Sequence, residues 1–355
     1  MLKSLQKAFK VKEVRDRLLY TFMMLVVIRI GCCLPIPGAD PSYLHDFFSN
    51  LQSSGMGFFN AITGGSFSSM SIFALSITPY ITSSIIMQLL TIAIPKLEEM
   101  QKDGEDGRKK IAEYTRYLTV GLALFESCAM AVGLGGKGLL LEDHRNVWGY
   151  LTVVAAMTAG SALLMWIGER ITDNGVGNGI SIVLLINIVS GTPQDMMTLY
   201  ERFMAGKSVA VATVACIIVL AIIIAIVVFV LILNDAERRI PVQYSKKMQG
   251  RRMIGGQSTY IPLKVNTANV IPVIFASSIM SMPVMIAQFF HVDYSTIGGK
   301  ILLALSSSNW FKPEAPAYSI GMLVYIVLVV LFAYFYTSIT FNPLEVANNM
   351  KKSGG

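Results

Sequence analysis

Very few residues of this chain are spaced for covalent chemistry. His45, His144 and His291 lie between apolar runs or at their ends, and there is no H-E-x-x-H, no paired intramembrane aspartate and no Ser/His couple. Cys32, Cys33, Cys128 and Cys216 sit in or beside apolar runs with no C-x-x-C and no histidine at metal-ligand spacing, which leaves them as packing residues. The glycines of DNGVGNGIS (residues 173–181) invite a phosphate-cradle reading, but neither dinucleotide nor Walker spacing is present and no lysine follows in place. A tight turn between two helices, with glycine supplying left-handed backbone, accounts for them better. An enzyme is not expected, and neither metal nor cofactor is implied.

What remains is charge. Arg29 and Glu126 lie inside apolar runs, where an unpaired charge is costly, so they either pair with each other or snorkel to the outer interface. The stretch 234–264 holds Arg238, Arg239, Lys246, Lys247, Arg251, Arg252 and Lys264, with Tyr244 and Tyr260 its only aromatics. A basic loop near anionic lipid explains the charges close to the span ends. It explains the length less well, and a projecting hairpin that docks an RNA-bearing or acidic partner is the sharper expectation.

The elements that must position these groups are membrane spans. The composition is 54% hydrophobic and 14% charged, against about a quarter charged in a soluble domain. The run 208–233 contains no charge and exceeds the roughly 20 residues that a crossing helix needs. Residues 1–17 read as a basic cytosolic helix that leads into a retained first span without a cleavage site. Clear spans cover 18–35, 70–94, 117–134, 147–167, 208–233, 268–290 and 317–341, while 180–189 is too short to assign by length.

Charge parity decides that segment. The N-terminal arm is basic, the loop 36–69 has no Lys or Arg, and the next loop carries Lys96, Lys102, Arg108, Lys109, Lys110 and Arg116. The positive-inside rule puts this last loop and the stretch after residue 234 on the cytoplasmic side, which requires an even number of spans between them. Segment 180–189 must therefore cross. Eight spans follow, with both ends cytoplasmic: five in an N-terminal half, 18–192, and three in a second half, 193–355, with a cytosolic loop at 234–266.

Two spans carry an internal echo. ITPYITSSIIM (77–87) and VIPVIFASSIM (270–280) align Pro79 with Pro272 and Ile81 with Ile274. In spans two and seven they run in opposite directions, the inverted-repeat build of transport proteins. Ahead of span two, GMGFFNAITGGSFSS (55–69) predicts a short helix stopped at Gly64-Gly65, lying on the outer leaflet or re-entering a protein-lined cavity.

Along its whole length the chain resembles the bacterial SecY family, channel subunits of the Sec translocon. LPIPG, PYI with SIIMQLL, DGRKKIAEYTRY, GxGNGISI, ERRIPVQYSKKMQGRR, LKVNTANVIPVIFASSIM and FNPLEVANNMKKSG carry the likeness in the family's order. The resemblance implies an all-α membrane protein, a multi-span bundle with an inverted pseudo-repeat around an hourglass pore. It implies a pore ring at Ile77, Ile81, Ile180, Leu184 and Ile274, with Ile180 placed there by the resemblance alone. A plug at 57–66 is implied too, including Gly57, Phe58, Phe59, Asn60, Ile62, Gly64 and Gly65, in preference to the outer-leaflet position. Spans two and seven become the edges of a lateral gate, with Gln88, Asn266 and Pro272 on the gate helices. Arg238, Arg239, Lys246, Lys247, Arg251 and Arg252 become contacts for the SecA motor and the ribosome. Other implied partners are SecE and SecG subunits, signal sequences, nascent polypeptides and membrane lipids, in the bacterial plasma membrane.

The family has ten spans and eight are expected here, so the last two helices would be missing, the ring one member short and the pore unable to seal by itself. The rival reading is an ion-coupled secondary transporter, which would want acidic or histidine residues near the midplane. Only Glu126 comes close, whereas Ile77, Ile81 and Ile274 suit a dewetting gate.

Overall fold

The computed structural model describes residues 9–40, 62–135, 138, 140–141, 145–242, 247–249, 252–254, 259–289, 296–306, 309–310, 316–341 and 343–352. The chain divides into two units, Met1–Asp195 with Ser281–Ser319, and Met196–Met280 with Ile320–Gly355.

The first unit is built on α1 (Lys12–Cys33), α2 (Thr78–Ala93), α3 (Pro95–Lys102), α4 (Glu105–Leu134), α5 (Val147–Asn174) and α6 (Gly179–Phe203), whose last turns pass the unit boundary. Neighbours α4 and α5 are tied by a 2.9 Å hydrogen bond between the Ser127 and Thr158 hydroxyls, and by Arg116 Nε donating to Glu169 Oε1 at 2.7 Å. Between α5 and α6 the backbones approach so closely that a Cβ on Gly179 would land on the Gly168 carbonyl. Glycine there is a packing requirement. The intervening turn matches the sequence reading: Gly177 is left-handed at φ 74°, and Asn178 Oδ1 accepts from the Ile180 and Ser181 amides, capping α6.

The second unit holds α7 (Val209–Asp235), four short strands, the start of α8 (Ile271–Phe289), α10 (Ile320–Thr340) and α11 (Pro343–Lys352), with α9 (Ile297–Leu305) belonging to the first unit. No side chain of α7 is buried, although the helix is apolar all round. In water that surface would be untenable; in lipid it is ordinary. Helices α8 and α10 pack through a T-shaped contact between Phe275 and Phe332, with ring centroids 5.5 Å apart.

Among the described residues four helical stretches are by themselves long and apolar enough to cross a membrane: α5, α6, α7 and Pro316–Ser338. Helices α2 and α3 reach that length and hydropathy only as a pair, which is bent by 107° at Ile94. The doubtful segment 180–189 belongs to a 25-residue helix, because the polar residues after it continue α6 through Pro193. Span two differs from expectation. Helix begins only at Thr78, and residues 70–77 run as successive turns.

Candidate functional site

The unwound segment 70–77 is buried almost throughout, with Met70, Ala74 and Ile77 fully inaccessible. Non-helical backbone survives at membrane depth only where protein satisfies its polar groups. Here the Ile36 amide donates to the Met70 carbonyl at 3.0 Å and the Ile72 amide to the Leu34 carbonyl at 2.9 Å, pairing the segment with the chain leaving α1. Its own turns close through Ala74 N–H to Ser71 O and Ser76 N–H to Phe73 O. Pro79 was the available sequence signal, since proline in a first turn marks a helix start.

This break brings ring candidates together. Ile77 opens α2 and Ile180 opens α6, and a Cβ on Gly168 of α5 would lie 3.6 Å from Ile77 Cδ1 and 3.4 Å from Ile180 Cγ1. Ile81 and Leu184 join the same apolar cluster. From sequence, Ile180 lies at the start of its apolar segment, near the cytoplasmic face; in the structure it packs in the same cluster as Ile77. Ile77 is fully buried, whereas Ile81, Ile180 and Leu184 are partly exposed.

Ile274 lies in the second unit, on α8. The paired segments share backbone geometry as well as letters. Ser76, two residues before α2, has φ 52°, and Asn269, two residues before α8, has φ 51°. Pro79 and Pro272 each occupy the second helical position, and Ile81 and Ile274 the fourth. A left-handed residue without the freedom of glycine is uncommon. Its recurrence at one register in both copies raises the repeat above shared composition.

Of the plug candidates, Gly57, Phe58, Phe59 and Asn60 lie outside the described residues. Ile62 is in a last helical turn, and Gly64 and Gly65 are left-handed at φ 65° and 82°, the expected stop. Gly64 abuts α6, where a Cβ would come within 3.0 Å of Asn187 Cα and Ser190 Oγ. Gln88 is exposed on α2. Asn266 is not on a gate helix: it precedes α8, and its Oδ1 accepts from the Asn269 amide at 3.0 Å, steadying that left-handed residue. Arg29 donates to Ser190 Oγ at 2.9 Å, and among the described residues it forms no ion pair with the half-buried Glu126.

The basic loop folds as an antiparallel ribbon, β1 (Glu237–Val242) with β4 (Thr259–Lys264), and β2 (Lys247–Gln249) with β3 (Arg252–Ile254). Lys246 and Arg251 lie outside the described residues. Lys247 pairs in register with Ile254, and Arg252 with Gln249. Arg238 and Arg239 are both exposed, but as adjacent strand residues they serve opposite faces of the ribbon. The Arg239 guanidinium sits 4.7 Å from the Tyr260 ring centroid, a contact that sequence spacing could not reveal.

Apolar spans, a non-helical segment ahead of one repeat copy and an aliphatic cluster at its end mark a multi-span membrane protein. Solved structures of low identity share that fold: a protein-conducting channel (TM-score 0.52, 20% identity, 90% of this chain and 71% of that one) and Sec61 in the canine ribosome–channel complex from the endoplasmic reticulum (0.56, 19%, 97% and 80%). A SecY structure concerned with its plug domain aligns at TM-score 0.56 and 19% identity, over 91% of this chain and 72% of that one.

The chain belongs to the SecY family, whose sequence model matches residues 71–355. Protein translocase subunit SecY of Streptomyces scabiei is 43% identical over all of this chain and 80% of its own length, and that of Corynebacterium glutamicum 41% over 98% and 79%. The protein is accordingly a multi-pass membrane channel subunit for protein translocation.

Proposed function

We propose that this chain passes unfolded secretory proteins across the bacterial plasma membrane, N-terminus cytoplasmic, and releases membrane proteins sideways between the helices of its two repeat copies. The observation that carries this reading is the aliphatic cluster at the break, where Ile77, Ile81, Ile180 and Leu184 gather at the starts of α2 and α6. The resemblance adds Ile274, on α8, to these four as the remaining member of the proposed ring. Such a constriction resists ions by dewetting yet yields to an extended peptide. Ile77, being fully buried, acts first as the anchor of that ring. The segment 57–66 is assigned as the plug, and Gln88 and Pro272 to the lateral gate, with Asn266 serving the turn that starts α8. The ribbon docks SecA and the ribosome through Arg238, Arg239, Lys246, Lys247, Arg251 and Arg252, and SecE and SecG complete the assembly. The chain itself performs no enzymatic step in this reading.

The ion-coupled transporter would work through Glu126. Export of a secreted reporter by cells dependent on the Glu126→Gln protein is expected to stay within about twofold of wild type, as for a substitution outside the working parts. Abolished transport would instead favour the coupled carrier.

A further inference from the structure

We propose, building on the ring assigned above, that Ser76 and Asn187 form a latch that positions the waist of the channel in its closed arrangement. Ser76 is left-handed at φ 52°, a conformation that a non-glycine residue keeps only when its surroundings hold it. Two side chains do so. Asn187 Nδ2 on α6 donates to Ser76 Oγ at 3.0 Å, and Ser161 Oγ on α5 donates to the Ser76 carbonyl at 3.2 Å. Ser76, Ser161 and Asn187 are each no more than 1% exposed. The very next residue is Ile77, so the torsion fixed at Ser76 sets the direction in which α2 carries Ile77 and Ile81.

The latch is not built for strength. Among the described residues Asn187 Oδ1 is buried without a hydrogen-bond partner, a loss that offsets much of what the Nδ2 bond contributes. The equivalent residue in the second copy, Asn269, needs no such remote tie, because Asn266 three residues earlier steadies it locally. The same turn of α6 also meets the end of the plug segment. Ser190 Oγ donates to the Asn187 carbonyl at 2.6 Å and receives the Arg29 guanidinium, while Gly64 rests against both residues. Hinge and plug end thus share one support on α6, and a weak buried bond at that support is a release point.

The test is a double-substitution cycle in the translocase purified from its own membranes and returned to vesicles. Ser76→Gly removes the hydroxyl while keeping a residue at ease in the left-handed region; Asn187→Leu removes the donor at similar volume. Each single change is expected to raise resting ion leak, and export of a reporter with a weakened signal sequence, by about tenfold, the equivalent of about 1.4 kcal/mol. The double variant is expected to leak no more than the worse single one, since both break one bond. If Asn187→Leu lowers abundance, Asn187→Ala carries the same comparison. Tight singles, or leaks that multiply in the double variant, overturn the latch. A waist that never contacts a translocating chain, measured in the wild type, overturns the ring instead, whatever the leak.

Discussion

Replacing Gly160 by valine is expected to remove folded protein from the membrane. A Cβ at that position of α5 would land on the Ile72 carbonyl oxygen, backbone that cannot swing aside as a side-chain end could. Neither partner has room to retreat. The Ile72 N–H donates a hydrogen bond to the Leu34 carbonyl, and Ser161, next along α5, donates one to the Ser76 carbonyl. Overpacking of this kind costs about 3 kcal/mol or more, a large share of a total stability of roughly 5–15 kcal/mol. Membrane abundance and resistance to mild proteolysis measure it. Normal abundance and resistance would mean that the unwound segment does not pack on α5.

Reversing Arg238 and Arg239 together to glutamate is expected to weaken ribosome and SecA binding by about a hundredfold at low salt, because both faces of the ribbon lose a cation and gain an anion. Tyr260→Ala is a graded version of the same change. It removes the ring that orders the Arg239 guanidinium and is expected to cost about threefold, a cation–π contact at an exposed site. Co-sedimentation across a salt series separates the two: the double reversal flattens the salt dependence, whereas the tyrosine change leaves its slope alone. Undiminished binding by the reversed ribbon would place docking elsewhere.

These residues also mark what sequence could and could not convey. The apolar runs, the turn at Gly177 and the stop at Gly64-Gly65 were legible, because each is a local property of composition or of glycine. The start of α2 was not, since residues 70–77 are as apolar as the helix that follows, and only Pro79 separated them. The support at Asn187 was invisible for another reason: its partner Ser76 lies 111 positions away, and one asparagine in an apolar run carries no mark of what it meets. The resemblance alone implies a ring place for Ile180, and no spacing in the sequence announces that it meets Ile77 beside Gly168 of α5. The resemblance puts Asn266 on a gate helix, whereas it works in the turn before α8.

The most direct test of the ring is cross-linking of a stalled secretory chain to single cysteines at Ile81 and Ile274, after Cys32, Cys33, Cys128 and Cys216 have been replaced. Adducts at both positions, lost when the chain is released, are the expected result. Adducts at neither, with translocation intact, would contradict it.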